Sequence, residues 1–172
     1  MKLTTGNSCE IINISPIQDD VGMKGQYIVF FSEKKHILKN KTETKRGVTM
    51  ACLDMNGPYP LTNDDIDRVI ADDRIGNYAY GYLDKDGTFI VRYVGRSDTN
   101  LRDRIKHGIE DMENAPSCKY EHFKFSYARN IHEAYEKECR NYHDFGGEEC
   151  LCNERHPAKP EGYEGVCPIC GD

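Results

Sequence analysis

The sequence predicts an α+β fold in which a small antiparallel sheet is assembled in the order β-β-α-β-α. The turn signal Asp84-Lys85-Asp86-Gly87 lies between two short tyrosine-bearing runs, Tyr80-Gly81-Tyr82 and Tyr93-Val94-Gly95, as in a β-hairpin. A helical pattern follows the hairpin, and a further strand-like run and a second helical pattern come after it. Residues 76–172 are therefore expected to contain this core and a C-terminal tail with cysteines. Residues 1–75 precede them as a β-rich region.

Composition and length narrow the class of protein. The chain has 172 residues, which suits one domain or one compact domain with an appendage. With 38% hydrophobic and 30% charged residues it is globular and polar rather than disordered or fibrous. No apolar run approaches the roughly 18 residues of a membrane helix. Residues 1–6 lack the apolar core of a signal peptide, so we expect a cytoplasmic protein with no membrane partner.

The N-terminal region, residues 1–75, is predicted to be rich in β-structure, with no role assigned. Turn-forming residues such as Asn56-Gly57-Pro58 bound its apolar runs, which lie at residues 10–14, 26–31 and 48–53. The formal net charge of −6 argues mildly against a nucleic-acid partner. The excess negative charge is concentrated in the C-terminal tail and a short linker helix, however, and the basic stretch at residues 34–46 is either a phosphate-contacting arm or a solvated hairpin or loop.

A short helix is expected where the N-terminal region ends. Thr62 can cap its first turn, and the acids Asp64 and Asp65 suit the positive end of the helix dipole. A buried stripe at helical spacing supports the helix, and its members are Ile66, Val69 and Ile70.

The hairpin and the helix after it follow from periodicity. Residues 78–83 and 88–94 alternate well enough for two strands. The next segment has apolar residues at helical spacing, namely Leu101, Ile105, Ile109 and Met112.

The last two core elements have clear boundaries. Residues 122–127 are predicted to form a third strand after a proline-containing loop. Asn130-Ile131-His132-Glu133 then has the pattern of a capping box and begins a helix that extends to about Asp144. Gly146-Gly147 is expected to end that helix.

This ordered set of motifs resembles the GIY-YIG nucleases, which have two tyrosine-bearing strands, then a helix with an arginine and a later helix with a glutamate. Tyr82 corresponds to the tyrosine of the first strand and Tyr93 to that of the second. The arginine corresponds to Arg104, with Arg102 as the fallback, and the glutamate to Glu138. The resemblance covers roughly residues 78–157 and implies the β-β-α-β-α core of that family.

The resemblance implies a Mg²⁺-dependent DNA endonuclease that hydrolyses phosphodiester bonds. Glu138 would hold one Mg²⁺ against the scissile phosphate, since this hard cation keeps most of its waters and needs only one or two carboxylates. Arg104 would donate to the non-bridging oxygens, where its rigid fork suits phosphate. Tyr82, in preference to Tyr93, would take a proton from the attacking water. The cation and nearby positive groups would have to lower the phenol pKa from about 10.

Two further polar residues are candidates with alternative interpretations. His107 lies one turn after Arg104 and would either assist by hydrogen bonding or be a solvated helix histidine. Asn153 resembles an asparagine that family members often place after the glutamate helix. It would hydrogen-bond a tyrosine or the phosphate, or would be an ordinary loop asparagine before a turn.

The tail carries a metal-binding signal. Cys167-Pro168-Ile169-Cys170 is a C-x-x-C knuckle, and its two thiolates can bind one Zn²⁺. In a cytoplasmic chain, eight cysteines indicate metal ligands before disulfides. Cys139 and His143 are preferred as the other two ligands, because their i, i+4 spacing places them on one helix face. The alternative set draws on Cys150, Cys152 and His156. Such a zinc ion would be structural and would tie the glutamate helix to the tail.

Three functions are compatible with the sequence. The leading one is the Mg²⁺-dependent endonuclease with DNA as its partner. The second is a catalytically inactive, zinc-stabilised nucleic-acid-binding module that keeps the fold without cutting. The third is a protein-interaction domain, which the acidic tail would suit.

Overall fold

The computed structural model describes residues 51–71, 74–114, 118 and 120–172. The apolar runs at residues 10–14 and 26–31 and the basic stretch at residues 34–46 lie outside the described residues. In chain order the elements are β1 (Asn56–Pro60), α1 (Asn63–Val69), β2 (Gly76–Leu83), β3 (Phe89–Ser97), α2 (Leu101–Asn114), β4 (His122–Tyr127), α3 (Ile131–Asp144) and α4 (Gly147–Cys150). The predicted α+β class with a small antiparallel sheet is confirmed, and the elements of residues 76–144 follow the predicted order.

The sheet has four strands in the order β1-β4-β2-β3, and every pairing in it is antiparallel. β2 is central and forms the predicted hairpin with β3. The turn is held by Asp84, whose carboxylate accepts hydrogen bonds from the backbone N–H groups of Asp86 (2.9 Å) and Thr88 (2.8 Å). The pairing shifts register after the partners Tyr80 and Tyr93, because Gly81 pairs with Val91. This bulge changes how the residues of β3 align with those of β2.

The predicted caps of α1 and α3 are present. The Thr62 hydroxyl accepts a hydrogen bond from the backbone N–H of Asp65 at 3.1 Å. The Asn130 side chain accepts one from the backbone N–H of Glu133 at 2.9 Å. Each cap satisfies a first-turn donor that has no partner within the helix. α3 ends at Asp144 beside a left-handed Gly146, as the glycine pair predicts.

The hydrophobic core lies on both faces of the sheet, because successive strand residues point to opposite sides. On one face Tyr78 and Tyr80 pack with Leu101 and Ile105 of α2 and with the side chains of α1. On the other face Ala79 packs with Phe89, Val91 and Val94 and with Tyr142 of α3. α2 and α3 therefore cover opposite faces of the same hairpin, which lets both contribute polar groups to a site beside β3.

The start of the described chain differs from its prediction. Asn56-Gly57-Pro58 was predicted to be a turn and instead forms the first half of β1. β1 is an edge strand that pairs only with β4, and its register is irregular between Asn56 and Tyr59, so a proline without an N–H is tolerated there. Ala51 and Leu53, from the predicted run 48–53, lie outside any strand but are buried in the core. The division at residue 75 stays a prediction.

Candidate active site and metal cluster

A cavity of about 570 Å³ opens beside β3, where side chains from β2, β3, α2 and α3 meet. Its polar lining combines phenols, guanidinium groups and carboxylates with a stretch of irregular chain. The residues that line it are Tyr78, Tyr80, Tyr93, Arg104, Asp111, Tyr120, Glu138 and residues 152–158. Such convergence of polar groups from separate elements in one concave surface is typical of a functional site.

Three tyrosines form the floor of the cavity. The ring centroids of Tyr78 and Tyr80 are 4.8 Å apart, and that of Tyr93 lies 6.1 Å from Tyr78 and 5.8 Å from Tyr80. Steric contact requires a glycine at the end of Tyr93-Val94-Gly95, because a Cβ at Gly95 would lie 2.5 Å from the Tyr78 ring and hydroxyl. Burial raises the pKa of all three phenols, and that of Tyr78 rises well above its ordinary value. These phenols are therefore protonated hydrogen-bond donors at neutral pH.

Arg104 brings a positive charge to this floor from the second turn of α2. Its guanidinium carbon lies 5.9 Å from the centroid of the Tyr78 ring. The pKa of Arg104 is raised, first by the Tyr78 phenol and then by Tyr93 and Tyr80, although burial opposes the shift. The half-buried guanidinium consequently stays charged and remains available to an anion in the cavity.

Glu138 contributes the carboxylate from α3. It is only 9% exposed, and burial raises its pKa to about 7 even though two arginines oppose the shift. Its main partner is Arg96, whose Nη1 lies 2.5 Å from Glu138 Oε2. Asp98 holds the same guanidinium from the other side, at 2.8 Å from Nε. Arg96 was not predicted as a site residue, although it follows directly after Tyr93-Val94-Gly95.

The structure brings four of the six predicted catalytic residues to the cavity, namely Tyr93, Arg104, Glu138 and Asn153. Tyr82 does not line it; this residue pairs with Ile90 farther along the hairpin. Tyr78 occupies the place beside Arg104 and Tyr93 that Tyr82 was expected to take. A strand repeats its side-chain direction every second residue, so strand spacing alone does not choose among Tyr78, Tyr80 and Tyr82.

Two candidates on α2 lie away from the cavity. His107 is exposed and lines a separate depression with Asp103 and Lys106. Arg102, the fallback arginine, instead donates from Nε to the backbone oxygen of Ile70 at 2.8 Å. This hydrogen bond connects α2 to the end of α1, so Arg102 supports the fold.

Asn153 lines the cavity but uses its amide to hold the chain. Its Nδ2 donates to the backbone oxygen of Val94 at 2.8 Å, and its Oδ1 accepts from the backbone N–H of Val94 at 3.0 Å. The side chain therefore pairs with β3 at the open edge of the sheet. Of the alternatives predicted for Asn153, this backbone pairing agrees with a loop asparagine that has a structural role.

Beside the cavity, the structure brings together four potential metal ligands, namely His143, His156, Cys167 and Cys170. Their ligand atoms all lie within 4.8 Å of one another. The two Nε2 atoms are 3.2 Å apart, and the sulfur–nitrogen distances are 3.4 Å for Cys167–His143 and 3.5 Å for Cys170–His156. Tetrahedral Zn²⁺ would place nitrogen pairs about 3.3 Å apart and nitrogen–sulfur pairs about 3.5 Å apart. This His₂Cys₂ group could therefore hold a metal ion such as zinc.

The surroundings of the cluster favour the metal-binding forms of two of its side chains, His156 and Cys167. His156 Nδ1 lies 3.0 Å from the backbone oxygen of Pro157, and a proton on Nδ1 leaves Nε2 free to coordinate. Burial raises the pKa of Cys167, but hydrogen bonds from the backbone of Cys170 and Ile169 outweigh burial and lower it to about 5.

The ligand prediction needs one replacement. Cys139 lies outside the group and is buried against Tyr135 and Cys167, where burial raises its thiol pKa to about 12. His156, from the alternative set, takes its place. Cys152 of that set is joined to Cys118 by a disulfide, so the expectation of metal before disulfides is wrong for this pair.

No protein-family model, no curated protein and no solved structure matches this chain. Among the helices of residues 51–71, 74–114 and 120–172, none has the length and apolar character needed to cross a membrane.

Proposed function

We propose that this protein is a metal-dependent phosphodiesterase. More specifically, it is a Mg²⁺-dependent DNA endonuclease of the GIY-YIG type. The observation that carries the proposal is the convergence of Tyr78, Tyr93, Arg104 and Glu138, from four separate elements, on one cavity. Phenols, a guanidinium and a metal-binding carboxylate can together supply proton transfer and charge stabilisation for phosphodiester cleavage.

The structure suggests a better alignment of the first family motif. That motif begins with a glycine two residues before its tyrosine, and Gly76-Asn77-Tyr78 has this pattern. Tyr78 pairs across the hairpin with Gly95, the glycine of the second motif. A Cβ at Gly76 would lie 2.3 Å from the backbone oxygen of Ser126, so this glycine is needed where β2 meets β4. We therefore assign Gly76-Asn77-Tyr78, rather than Tyr80-Gly81-Tyr82, to the first motif.

Each side chain then has a role derived from its surroundings. Arg104, charged and half-buried, donates to the non-bridging oxygens of the scissile phosphate. Glu138 is the carboxylate that would hold Mg²⁺, which when bound offsets charge on the phosphate. Tyr78 donates a hydrogen bond, because its buried phenol keeps its proton. Tyr93 is the more accessible phenol and would take the proton of the attacking water only where neighbouring positive charge lowers its pKa.

The second metal in the proposal is zinc at the His₂Cys₂ group. Two sulfurs and two imidazole nitrogens, with three of their mutual distances close to tetrahedral values, favour Zn²⁺ over the oxygen-preferring Mg²⁺. This zinc is structural, because all four positions around it are taken by side chains.

A cleavage assay with a matched pair of variants tests the proposed activity. Glu138→Gln keeps the shape of the side chain and removes its charge. Glu136→Gln makes the same change two residues away on α3, outside the cavity. With Mg²⁺ and duplex, nicked and branched DNA, we expect Glu138→Gln to lower cleavage by about 10³-fold and Glu136→Gln to match wild type. Equal cleavage by both variants, or no cleavage of any DNA by wild type, would refute the proposal.

One contact favours the non-cutting module as the second candidate. Arg96 pairs with Glu138 at 2.5 Å and thereby competes with any cation for that oxygen. A binding module would bind DNA with an affinity that falls steeply with salt, because phosphate contacts release counterions, yet would leave the DNA intact in Mg²⁺. Measuring binding and cleavage on the same DNA separates the two candidates.

A further inference from the structure

We infer that the metal held by the His₂Cys₂ group fixes one wall of the cavity, so that zinc completes the candidate active site. The inference deepens the proposed function and rests on it only for the cleavage readout described below. The observation that carries it is that His156 belongs to both places: its Nε2 is a ligand atom of the group, and the residue also lines the cavity.

The wall consists of residues 152–158, which have no helix or strand. A regular ladder of backbone hydrogen bonds therefore does not fix its course, and individual contacts must do so, among them the Cys118–Cys152 disulfide at its first residue. Its first two residues are attached to β3: the backbone N–H of Cys152 donates to the backbone oxygen of Arg92 at 2.6 Å, and the Asn153 amide pairs with Val94.

Farther along the wall, His156 makes the connection to α3. Its Nε2 lies 3.2 Å from His143 Nε2, and its ring centroid lies 5.4 Å from that of Tyr142. Two imidazole nitrogens at this distance share at most one proton and form a weak link by themselves. A metal ion between them replaces that link with two coordinate bonds.

The helix that receives this connection is the one that carries Glu138. His143 is on the same helix, near its C-terminal end, so a metal would join the wall to the element that positions the carboxylate. Cys167 and Cys170 complete the group from the tail and connect a third stretch of chain to the same point. Because few preformed contacts order irregular chain of this kind, much of the metal-binding free energy would go into ordering the wall.

Amide hydrogen exchange on the full chain tests this inference without relying on activity. Cys170→Ser removes an exposed ligand, and Cys52→Ser removes an exposed free thiol outside the group. We expect about one zinc per chain in wild type and Cys52→Ser, and none in Cys170→Ser. In Cys170→Ser, the amides of Glu154, Arg155, His156 and Ala158 should exchange at least about 10-fold faster, whereas those of β2, β3 and the centre of α3 should not change.

A reversible treatment covers the case in which the substitution itself disturbs the fold. Wild type is stripped of zinc with a chelator and then reloaded, and exchange is measured at each stage. Return of wall protection on reloading supports the inference. The inference is overturned if wild type binds no zinc, if the wall keeps its protection after zinc loss, or if the whole chain unfolds instead of the wall alone.

Cleavage then separates this inference from the proposed function. If wild type cuts no DNA, the proposed function fails, while the exchange result still decides whether zinc orders the wall. If wild type cuts DNA, Cys170→Ser in Mg²⁺ should cut it at least about 10-fold more slowly than Cys52→Ser. Equal rates would show that the wall does not contribute to the site.

Discussion

The cavity and the His₂Cys₂ group lie next to each other but are built in different ways. Strands and helices position Tyr78, Tyr93, Arg104 and Glu138. The opposite charges of Arg96 and Glu138 compensate each other. Three of the four ligands in the group come instead from irregular chain after α4. Their polar atoms face one another with spacing suited to a central cation. From this difference we expect the cavity floor to form without metal, and the group and the adjoining wall at His156 to depend on one.

Among the substitutions that separate the cavity from the His₂Cys₂ group, the largest effect is expected for Arg104→Ala. Removing a guanidinium directed at the phosphate should lower kcat/KM for DNA cleavage by about 10³-fold. Arg104→Lys keeps the charge but loses the two-pronged geometry, and we expect it to recover only part of the activity. Zinc content should remain at the wild-type value in both variants, because α2 contributes no ligand. Cleavage kinetics with zinc analysis check this prediction, and full activity in the alanine variant would contradict it.

The next largest effect distinguishes two tyrosines that are four residues apart. Tyr78→Phe removes the phenol hydroxyl beside Arg104 and keeps the ring. It should lower the cleavage rate by about 10²-fold. Tyr82→Phe makes the identical change outside the cavity and should stay within about twofold of wild type. The pair decides between the two alignments of the first motif, and a larger loss in Tyr82→Phe would restore the alignment that the sequence suggested.

A smaller effect is expected where the wall meets the sheet. Asn153→Ala removes both hydrogen bonds to Val94 and leaves two backbone groups at the edge of β3 without that partner. We expect the free energy of unfolding to fall by about 1–2 kcal/mol in urea titrations, with zinc still bound. Glu154→Ala, at the exposed neighbouring position, is the control and should change stability by less than about 0.5 kcal/mol.

How far the sequence predicts this molecule depends on the range of the interaction involved. The hairpin, the caps at Thr62 and Asn130 and the boundaries of α3 follow from neighbouring residues, and they were predicted correctly. β1 was missed because its pairing with β4 joins residues more than 60 positions apart and tolerates an irregular register.

The site shows the same division. Arg104 and Glu138 could be found because the family resemblance rests on short motifs, each contained within one helix. The choice of Tyr78 over Tyr82, by contrast, depends on how α2 and α3 sit against the hairpin. The exchange of Cys139 for His156 depends on how the tail folds back, and the Cys118–Cys152 disulfide likewise joins segments that no local pattern connects.

The smallest effect is expected at Cys139, and it tests the composition of the group directly. Cys139 adjoins Cys167 in the core but lies outside the four ligands, so Cys139→Ser should keep about one zinc per chain. Cys167→Ser makes the same substitution at a ligand and should lose the metal. Zinc analysis of the two variants is decisive when both remain folded by circular dichroism. Loss of zinc in Cys139→Ser together with retention in a His156→Ala variant would return Cys139 to the ligand set, and would show that the metal binds α3 and the tail without holding the cavity wall.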